Sequence, residues 1–527
     1  VAVTAGCSFS EQPEQPEPPE PPAPPSSGTA TASSTTSSPA APPASTPASP
    51  GEPARTWVAE ENSRAGDPRW RLGARVADEE TLGGWVDHAS VLAGDPLTLY
   101  VHSTLGAVEV TAYRLGHYDG AGARALWHSP RPIPASSQPP PVVDGDRMAR
   151  CRWRDGIPLE TAGWPPGTYV VRLRAASRVH FVPLTIRSPS VAGKLVLVNA
   201  TATYQAYNVW GGHCLYFDRA TRHFEQRALR VSMDRPGDTS GARTLLLYEI
   251  APIAAAERLG LDLAYLTSGD LDAGAGVLDG AAGVVSLGHD EYWSLGMRAA
   301  VESARAGGTN LVFMGANVMY WRIRFADNGR TVLCYKDSGL DPKGRTRTTT
   351  AKWRDDPYAA PEHLVTGQLY EAFPVQGAFV VHDPRFFGFA GLEVRTGSSV
   401  AGLCGTEVDR AYPIAGTPET LRVVGHSPVA GSQLRTYSDL TYYSTASGAG
   451  VVAFGSMLWS VAMRGAYPRY GIPESSSRFA IAVAENVLRE AAIPRLGARR
   501  PAVANLHQIR ASASTRTGSG GPLGSFG

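Results

Sequence analysis

AAGVVSLGHDEYWSLGMRAAVESARAGGTNLVFMG, residues 281–315, reads as a buried strand, a polar loop, a helix and a second buried strand. Short apolar runs rich in Val, Leu and Phe bound a stretch in which Ser294 is placed to cap a helix and Gly307 to stop it. Strand, helix, strand in this order predicts a parallel pair joined by a crossover. The same alternation extends outward. KLVLVNA (194–200) is a buried strand, APIAAAERLGL (251–261) a helix leading into the strand LAYL (263–266), and SSRFAIAVAENVLREAA (476–492) a closing helix. Residues 190–498 are therefore expected to form an α/β domain with a largely parallel sheet covered by helices. Sites in such sheets lie beyond the carboxyl ends of the strands. Three of those ends carry polar and aromatic residues: Tyr204 to Trp210, His289 to Trp293, and Asn317 to Trp321.

Towards the N-terminus the grammar changes. PLTLYVHS (96–103), VEVTAYRLGHY (108–118), GTYVVRLR (167–174) and VHFVPLTIR (179–187) are short, rich in Val, Thr and Tyr, and lack a helical period. They predict an immunoglobulin-like β-sandwich over residues 55–189. Residues 1–54 begin VAVTAGCSFS and run into EQPEQPEPPEPPAPPSSG and a Ser/Thr/Ala/Pro tract. Small residues before Cys7 resemble the end of a bacterial lipoprotein signal, so Cys7 is the expected lipidation site. The tract after it has no apolar surface to offset ordering entropy and is expected to be an extended, disordered spacer. A second disordered tail is expected over 499–527. Together these features predict an exported protein, either lipid-anchored at the cell surface or secreted.

With 527 residues and a net charge of +1, the chain has cores to spare and no field that would draw nucleic acid or an anionic bilayer. Contact with a membrane is expected only through the lipid anchor. No apolar run approaches the roughly 20 residues that span a membrane. The five cysteines, Cys7, Cys151, Cys214, Cys334 and Cys404, form no CxxC pair, which argues against zinc ribbons and thioredoxin-type centres. Outside the cytoplasm the last four have the number needed for two disulfides.

Candidate chemistry gathers at the strand ends. GHDEYWS (288–294) sets His289, Asp290 and Glu291 after a buried strand, where buried charge needs a partner or a metal. The two acids also stand where acids favour the start of the following helix, so position alone does not separate the readings. TYQAYNVWGGHCLY (203–216) places Tyr204, Tyr207 and Trp210 past another strand. Aromatics three apart also suit a core face, whereas a phenolate ligand needs a strong Lewis acid such as ferric iron to hold it deprotonated. GANVMYWRIR (315–324) occupies the place of a nucleophile turn but offers Ala316 and Asn317 rather than Cys or Ser. GxSxG, P-loop and HExxH motifs are absent from the sequence, which leaves metal-assisted hydrolysis among the hydrolytic options.

Six segments in order, TYQAYNVWGG, GHDEYWS, GANVMYWRIR, CYKDSGLDP, GTEVD and VVAFGSMLWS, resemble the core of N,N-dimethylformamidase large subunits. The resemblance runs from Ser90 to Ala491. It implies an immunoglobulin-like domain followed by an amidotransferase-like domain, with a mononuclear ferric iron (Fe3+) held by two tyrosines and a glutamate. Matched motif by motif, the metal ligands fall on Glu291, on Tyr207 and, at GTYVVRL, on Tyr169. His289, Asn317, Lys336 and Glu407 match the catalytic surroundings, with Asn317 placed to steady an oxyanion, a role worth about 3 kcal/mol per donor. The aromatic rim is read as Trp210, Tyr292, Trp293 and Trp321. The implied activity is hydrolysis of small amides by metal-activated water. No counterpart of the family's small subunit is evident, and a homo-oligomer stays open. Two other readings remain: a non-catalytic, surface-anchored lipoprotein that binds a solute or glycan, and a metal-dependent hydrolase of another bond.

Overall fold

The structure is a computed structural model that describes residues 56–509, except 72–74, 79, 136 and 433, together with the backbone of 515–516. Cys7, the 1–54 segment and most of the expected 499–527 tail lie outside the described residues. The part of that tail which is described is packed. Asn505 bridges the backbone of Val423, accepting from its N–H at 2.7 Å and donating to its carbonyl at 2.9 Å.

The first sheets use strands β1 (Leu82–Val86), β2 (Thr98–Ser103), β3 (Glu109–Leu115), β4 (Ala123–His128), β5 (Gly167–Ala175) and β6 (Arg178–Ile186). One sheet runs β6-β5-β3-β4 with antiparallel pairing, and the short strands Arg75–Val76 and Ser90–Val91 add to β6 in parallel. The other pairs β1 with β2, with Ile157–Pro158 beside β2. Side chains alternate across a strand, and both faces of β5 are used. Tyr169, Val171 and Leu173 meet Leu82, Leu99 and Val101 in one core. Val170, with Tyr113 and Phe181, joins the core of the α/β half. A sheet buried on both faces explains why these strands read as nearly continuous apolar runs.

The α/β half begins with β7 (Leu195–Asn199), α1 (Thr201–Tyr207), α2 (Ile250–Arg258), β8 (Leu263–Thr267), β9 (Gly283–Ser286), α3 (Leu295–Ala306) and β10 (Asn310–Phe313). It continues with β11 (Leu369–Val380), β12 (Ser399–Arg410), β13 (Arg422–Ala430), β14 (Leu434–Ser444), β15 (Gly450–Ala453) and α4 (Glu474–Ala491). Strand order is β8-β7-β9-β10-β15-β14-β13-β11-β12. Residues of α3 such as Met297, Ala300 and Val301 cover one face of the parallel strands, while α2 and α4 cover the other. Ser294 caps α3 as expected, its Oγ accepting the Met297 N–H at 3.1 Å.

The expectation of a largely parallel sheet is corrected by half of it. β8, β7, β9, β10 and β15 are parallel, but β14, β13, β11 and β12 are antiparallel. These long strands curl until β12 meets the chain just after β15, where the Asp409 N–H donates to the Gly455 carbonyl at 3.0 Å. The molecule is thus a mixed α/β protein of several sheets. The four described cysteines, Cys151, Cys214, Cys334 and Cys404, are buried free thiols, so the disulfides anticipated for an oxidising compartment do not form.

Two buried polar joints tie the first sheets to the α/β half. Arg114 of β3 donates to both oxygens of Glu257 of α2, at 2.6 and 3.0 Å, with both side chains shut off from solvent. Asn199, at the end of β7, accepts the hydroxyls of Thr168 (2.8 Å) and Thr185 (3.0 Å) and donates to Glu249 at 2.6 Å. Removing one member of a buried pair strands the other charge, at a cost of ~3–5 kcal/mol. Arg114→Met is therefore expected to lower unfolding stability by that amount in a urea titration. Arg69→Met, which removes the arginine of the exposed Arg69–Asp67 pair, should leave the curve in place.

Candidate active site

Glu291 and Asn317 lie just past the carboxyl ends of β9 and β10, and Tyr207 ends the helix α1 that follows β7; these three strands are neighbours in the sheet. The close approach of two of these ends depends on glycine. A Cβ on Gly315 would stand 1.8 Å from the Gly288 carbonyl oxygen. The same ends are stitched by the Glu291 carbonyl, which accepts the N–H groups of Tyr320 (2.9 Å) and Trp321 (3.0 Å).

Glu291 is wholly buried and its carboxylate is fully engaged. Tyr207 Oη donates to Oε2 at 2.7 Å, and Tyr216 Oη donates to Oε1. Asn317 Nδ2 donates to Oε1 at 3.1 Å, and His289 Nε2 lies 3.3 Å from Oε2. Burial alone would raise this carboxyl, but His289, Lys336 and the Tyr216 hydroxyl outweigh it and hold it below the ordinary glutamate value. Burial and the Glu291 charge push both phenols well above 10, so each keeps its proton in this arrangement.

Glu407 reaches the same space from β12. Burial, helped by the Glu291 charge and opposed by His289, raises it to about 7. Its Oε2 and the Oδ1 of Asn317 are buried without a hydrogen-bond partner. For His289, burial works against the charged ring, while Glu407 and Glu291 prevail and raise its pKa. Lys336 donates to Tyr292 Oη at 2.8 Å and lies 3.1 Å from the centre of the Tyr216 ring. Burial brings its ammonium down to about 8. It is not an exposed lysine. Asp290 accepts the Ser286 hydroxyl at 2.8 Å, and burial raises it to about 7.

Six of the seven sequence-derived metal and catalytic positions thus gather around one carboxylate. Tyr169 does not. Its hydroxyl donates to the Pro165 carbonyl at 2.7 Å and its ring stacks on Trp164, within the core between the first two sheets. Tyr216 stands in the place assigned to it, its ring centre 5.0 Å from that of Tyr207. Gly211 and Gly212, both at positive φ, turn the chain back so that the Leu215 N–H pairs with the Ala206 carbonyl at 2.9 Å. The signal was available: Tyr216 follows the GG pair in the segment that carries Tyr207. The aromatic rim is likewise redrawn. Trp321 donates to Tyr216 Oη at 3.0 Å and Tyr292 meets Lys336. Trp293 is a core residue bonded to the Asp290 carbonyl, and Trp210 packs on Trp153 and Trp85 away from the cluster.

Among the described residues, no group of three or more His, Cys, Asp and Glu side chains is arranged to hold a metal ion. A metal at Glu291 would therefore draw on phenol oxygens. Three oxygen-bearing side chains that converge within hydrogen-bond distance, beside two orphaned acceptors, fit that requirement.

The chain is a mixed α/β protein that brings two phenols to one buried carboxylate beside its parallel strands. The chain belongs to the N,N-dimethylformamidase beta subunit-like family, whose C-terminal model matches residues 109–471. No curated protein matches the chain. A solved structure of a Paenibacillus sp. cycloisomaltooligosaccharide glucanotransferase, complexed with cycloisomaltoheptaose, is 13% identical over 25% of this chain, with a TM-score of 0.15. The match spans 18% of that protein's length.

The approach of the strand ends can be tested directly. Gly315→Ala forces a methyl group into the Gly288 carbonyl and should cost at least ~1–3 kcal/mol of stability. Gly145→Ala, where an added Cβ meets nothing within 4 Å, should be near neutral in the same denaturant titration.

Proposed function

We propose that the protein is an iron-dependent hydrolase of small amides, with Tyr207, Tyr216 and Glu291 as metal ligands. The observation that carries this reading is the pair of phenol hydroxyls on the two oxygens of one buried carboxylate. Deprotonated, these three groups bring three negative charges, which match a ferric ion, the Lewis acid best suited to phenolates. Family membership supports the amide as the bond cleaved.

When bound, such an ion supplies Lewis-acid polarisation of a carbonyl and a water of lowered pKa. The surrounding side chains suit the proton transfers that amide hydrolysis requires. Glu407, with an open Oε2 and a pKa of about 7, is able to take a proton from water and return it to the departing amine. His289 Nε2 is held at Glu291, so it orients that carboxylate and adds charge beside it. Asn317 has its Nδ2 committed to Glu291 and its Oδ1 open. That places an acceptor, suited to a water or an amine N–H, where the sequence had suggested an oxyanion donor. Lys336 supplies positive charge behind the Tyr216 ring. We also read the first sheets as immunoglobulin-like and the second half as amidotransferase-like (flavodoxin-like). Export and lipidation at Cys7 belong to the same proposal, and labelling with a radioactive fatty acid tests them.

Metal analysis and visible spectroscopy of the purified chain test the site. About one iron per chain and a phenolate-to-iron charge-transfer band are expected for a mononuclear centre. Tyr216→Phe and Tyr207→Phe should each shift or abolish the band, Glu291→Ala should lose the iron, and Tyr169→Phe should change nothing. Iron-free protein after reconstitution, or a band that survives Tyr216→Phe unchanged, would overturn the ligand assignment. Iron-free protein puts the solute-binding reading in its place, whereas a surviving band removes Tyr216 alone from the ligand set.

A further inference from the structure

A cavity of about 240 Å3 has Lys336, a neighbour of the Glu291 cluster, in its lining. Arg322, Arg345 and Lys352 line it together with Asp337, Asp355 and Asp356. Two of these acids are already used by the chain itself. Asp337 accepts the Gly339 N–H at 2.7 Å, and Asp355 accepts the Lys352 N–H at 3.1 Å. All three, Asp356 included, are exposed.

The cations are less well served. Nearby Arg298, Arg324 and Arg354 each hold a carboxylate: Glu302, Asp341 and Glu362. Among the described residues, Arg322, Arg345 and Lys352 form no ion pair. Arg322 is 4% exposed, and its two terminal nitrogens donate to the carbonyls of Arg347 (3.2 Å) and Tyr358 (2.8 Å). Its Nε is buried without an acceptor. Its guanidinium lies 4.5 Å from the centre of the Trp353 ring, and that of Arg298 lies 4.7 Å from the same centre. Two cations on one indole concentrate positive charge. A buried donor without a partner costs stability that an incoming acceptor recovers. A carboxylate is the group whose geometry suits a guanidinium edge.

We propose that this cavity is a carboxylate-binding subsite, and that the preferred amides carry an acidic group, N-acyl amino acids being the simplest class. The substrate preference rests on the amidase reading; the binding of the anion does not. The volume lies below the ~300 Å3 at which pockets for drug-sized ligands begin. It therefore suits a carboxymethyl group rather than a whole large ligand.

Calorimetric titration of the purified chain with N-acetylglycine and with N-methylacetamide separates the two ideas. N-acetylglycine is expected to bind at least tenfold more tightly, and added salt should weaken it, as it weakens accessible charge pairs. The double variant Arg345→Gln/Lys352→Gln, whose side chains lie at the surface or half-buried, should lose roughly tenfold for N-acetylglycine and nothing for N-methylacetamide. Equal affinity for the two amides, or an unchanged constant in the variant, overturns the subsite. Hydrolysis of the same compounds is then followed by release of the free amine. Tight binding of N-acetylglycine without hydrolysis keeps the subsite and overturns the amidase reading. Hydrolysis of N-methylacetamide with no advantage for N-acetylglycine keeps the amidase reading and overturns the subsite.

Discussion

Arg114 and Glu257 meet in a region without solvent, one on a strand of the first sheets and the other on a helix of the α/β half. Neither charge is tolerable there alone, so the two halves must dock in one orientation. Tyr265 adds its hydroxyl to Glu257, and Tyr118 accepts from Arg114 at 2.9 Å, so the pair is held on several sides. The second joint, Asn199, repeats the logic at the end of β7. It binds the hydroxyls of two strands of the first sheets and passes to Glu249, which also receives the Tyr204 hydroxyl. Tyr204 lies one turn before Tyr207 on α1. Docking of the first sheets is thereby linked to the placement of a phenol at the candidate site.

That site is itself an answer to burial. Strand ends at the centre of a covered sheet lie far from water, and Glu291 there is wholly enclosed. Two phenols, an amide and an imidazole satisfy its oxygens. Burial raises the neighbouring Glu407 to about 7, whereas His289, Lys336 and the Tyr216 hydroxyl hold Glu291 low. The charge of Glu291 adds to the rise at Glu407, as one like charge disfavours another. The same enclosure that makes these groups costly to bury makes them responsive to a cation.

Part of this was legible from local pattern. GHDEYWS follows an apolar run and precedes a capped helix, so the position of Glu291 and His289 at a strand end could be read from neighbours in sequence. Asn317 likewise follows its strand within a short turn, whereas Tyr207 stands one helix, α1, beyond the end of β7. Tyr169 shows the limit. GxY at a strand start fits a ligand match and a core position equally well, and only the alternation of β5 against β1 and β2 puts the ring in the core. Tyr216 stands in the same segment as Tyr207, but its meeting with Glu291 depends on the turn at Gly211 and Gly212 and not on any period. The antiparallel strands β11 to β14 were missed because no single one of them announces which neighbours it will pair with.

The sequence by itself determined the elements: which runs bury both faces, where helices start and stop, and which strand ends carry charge. Those properties are local, set by side-chain period and by capping within a few residues. Tertiary structure decided which of the charged and phenolic groups meet. β12 brings Glu407 to Glu291 across more than a hundred residues because the antiparallel strands curl back on β15. Tyr216 displaces Tyr169 because one phenol faces a buried carboxylate that needs donors and the other has already found a carbonyl. Such choices depend on distances through space, where a burial cost at one residue is offset by a partner whose position along the chain carries no trace of the meeting.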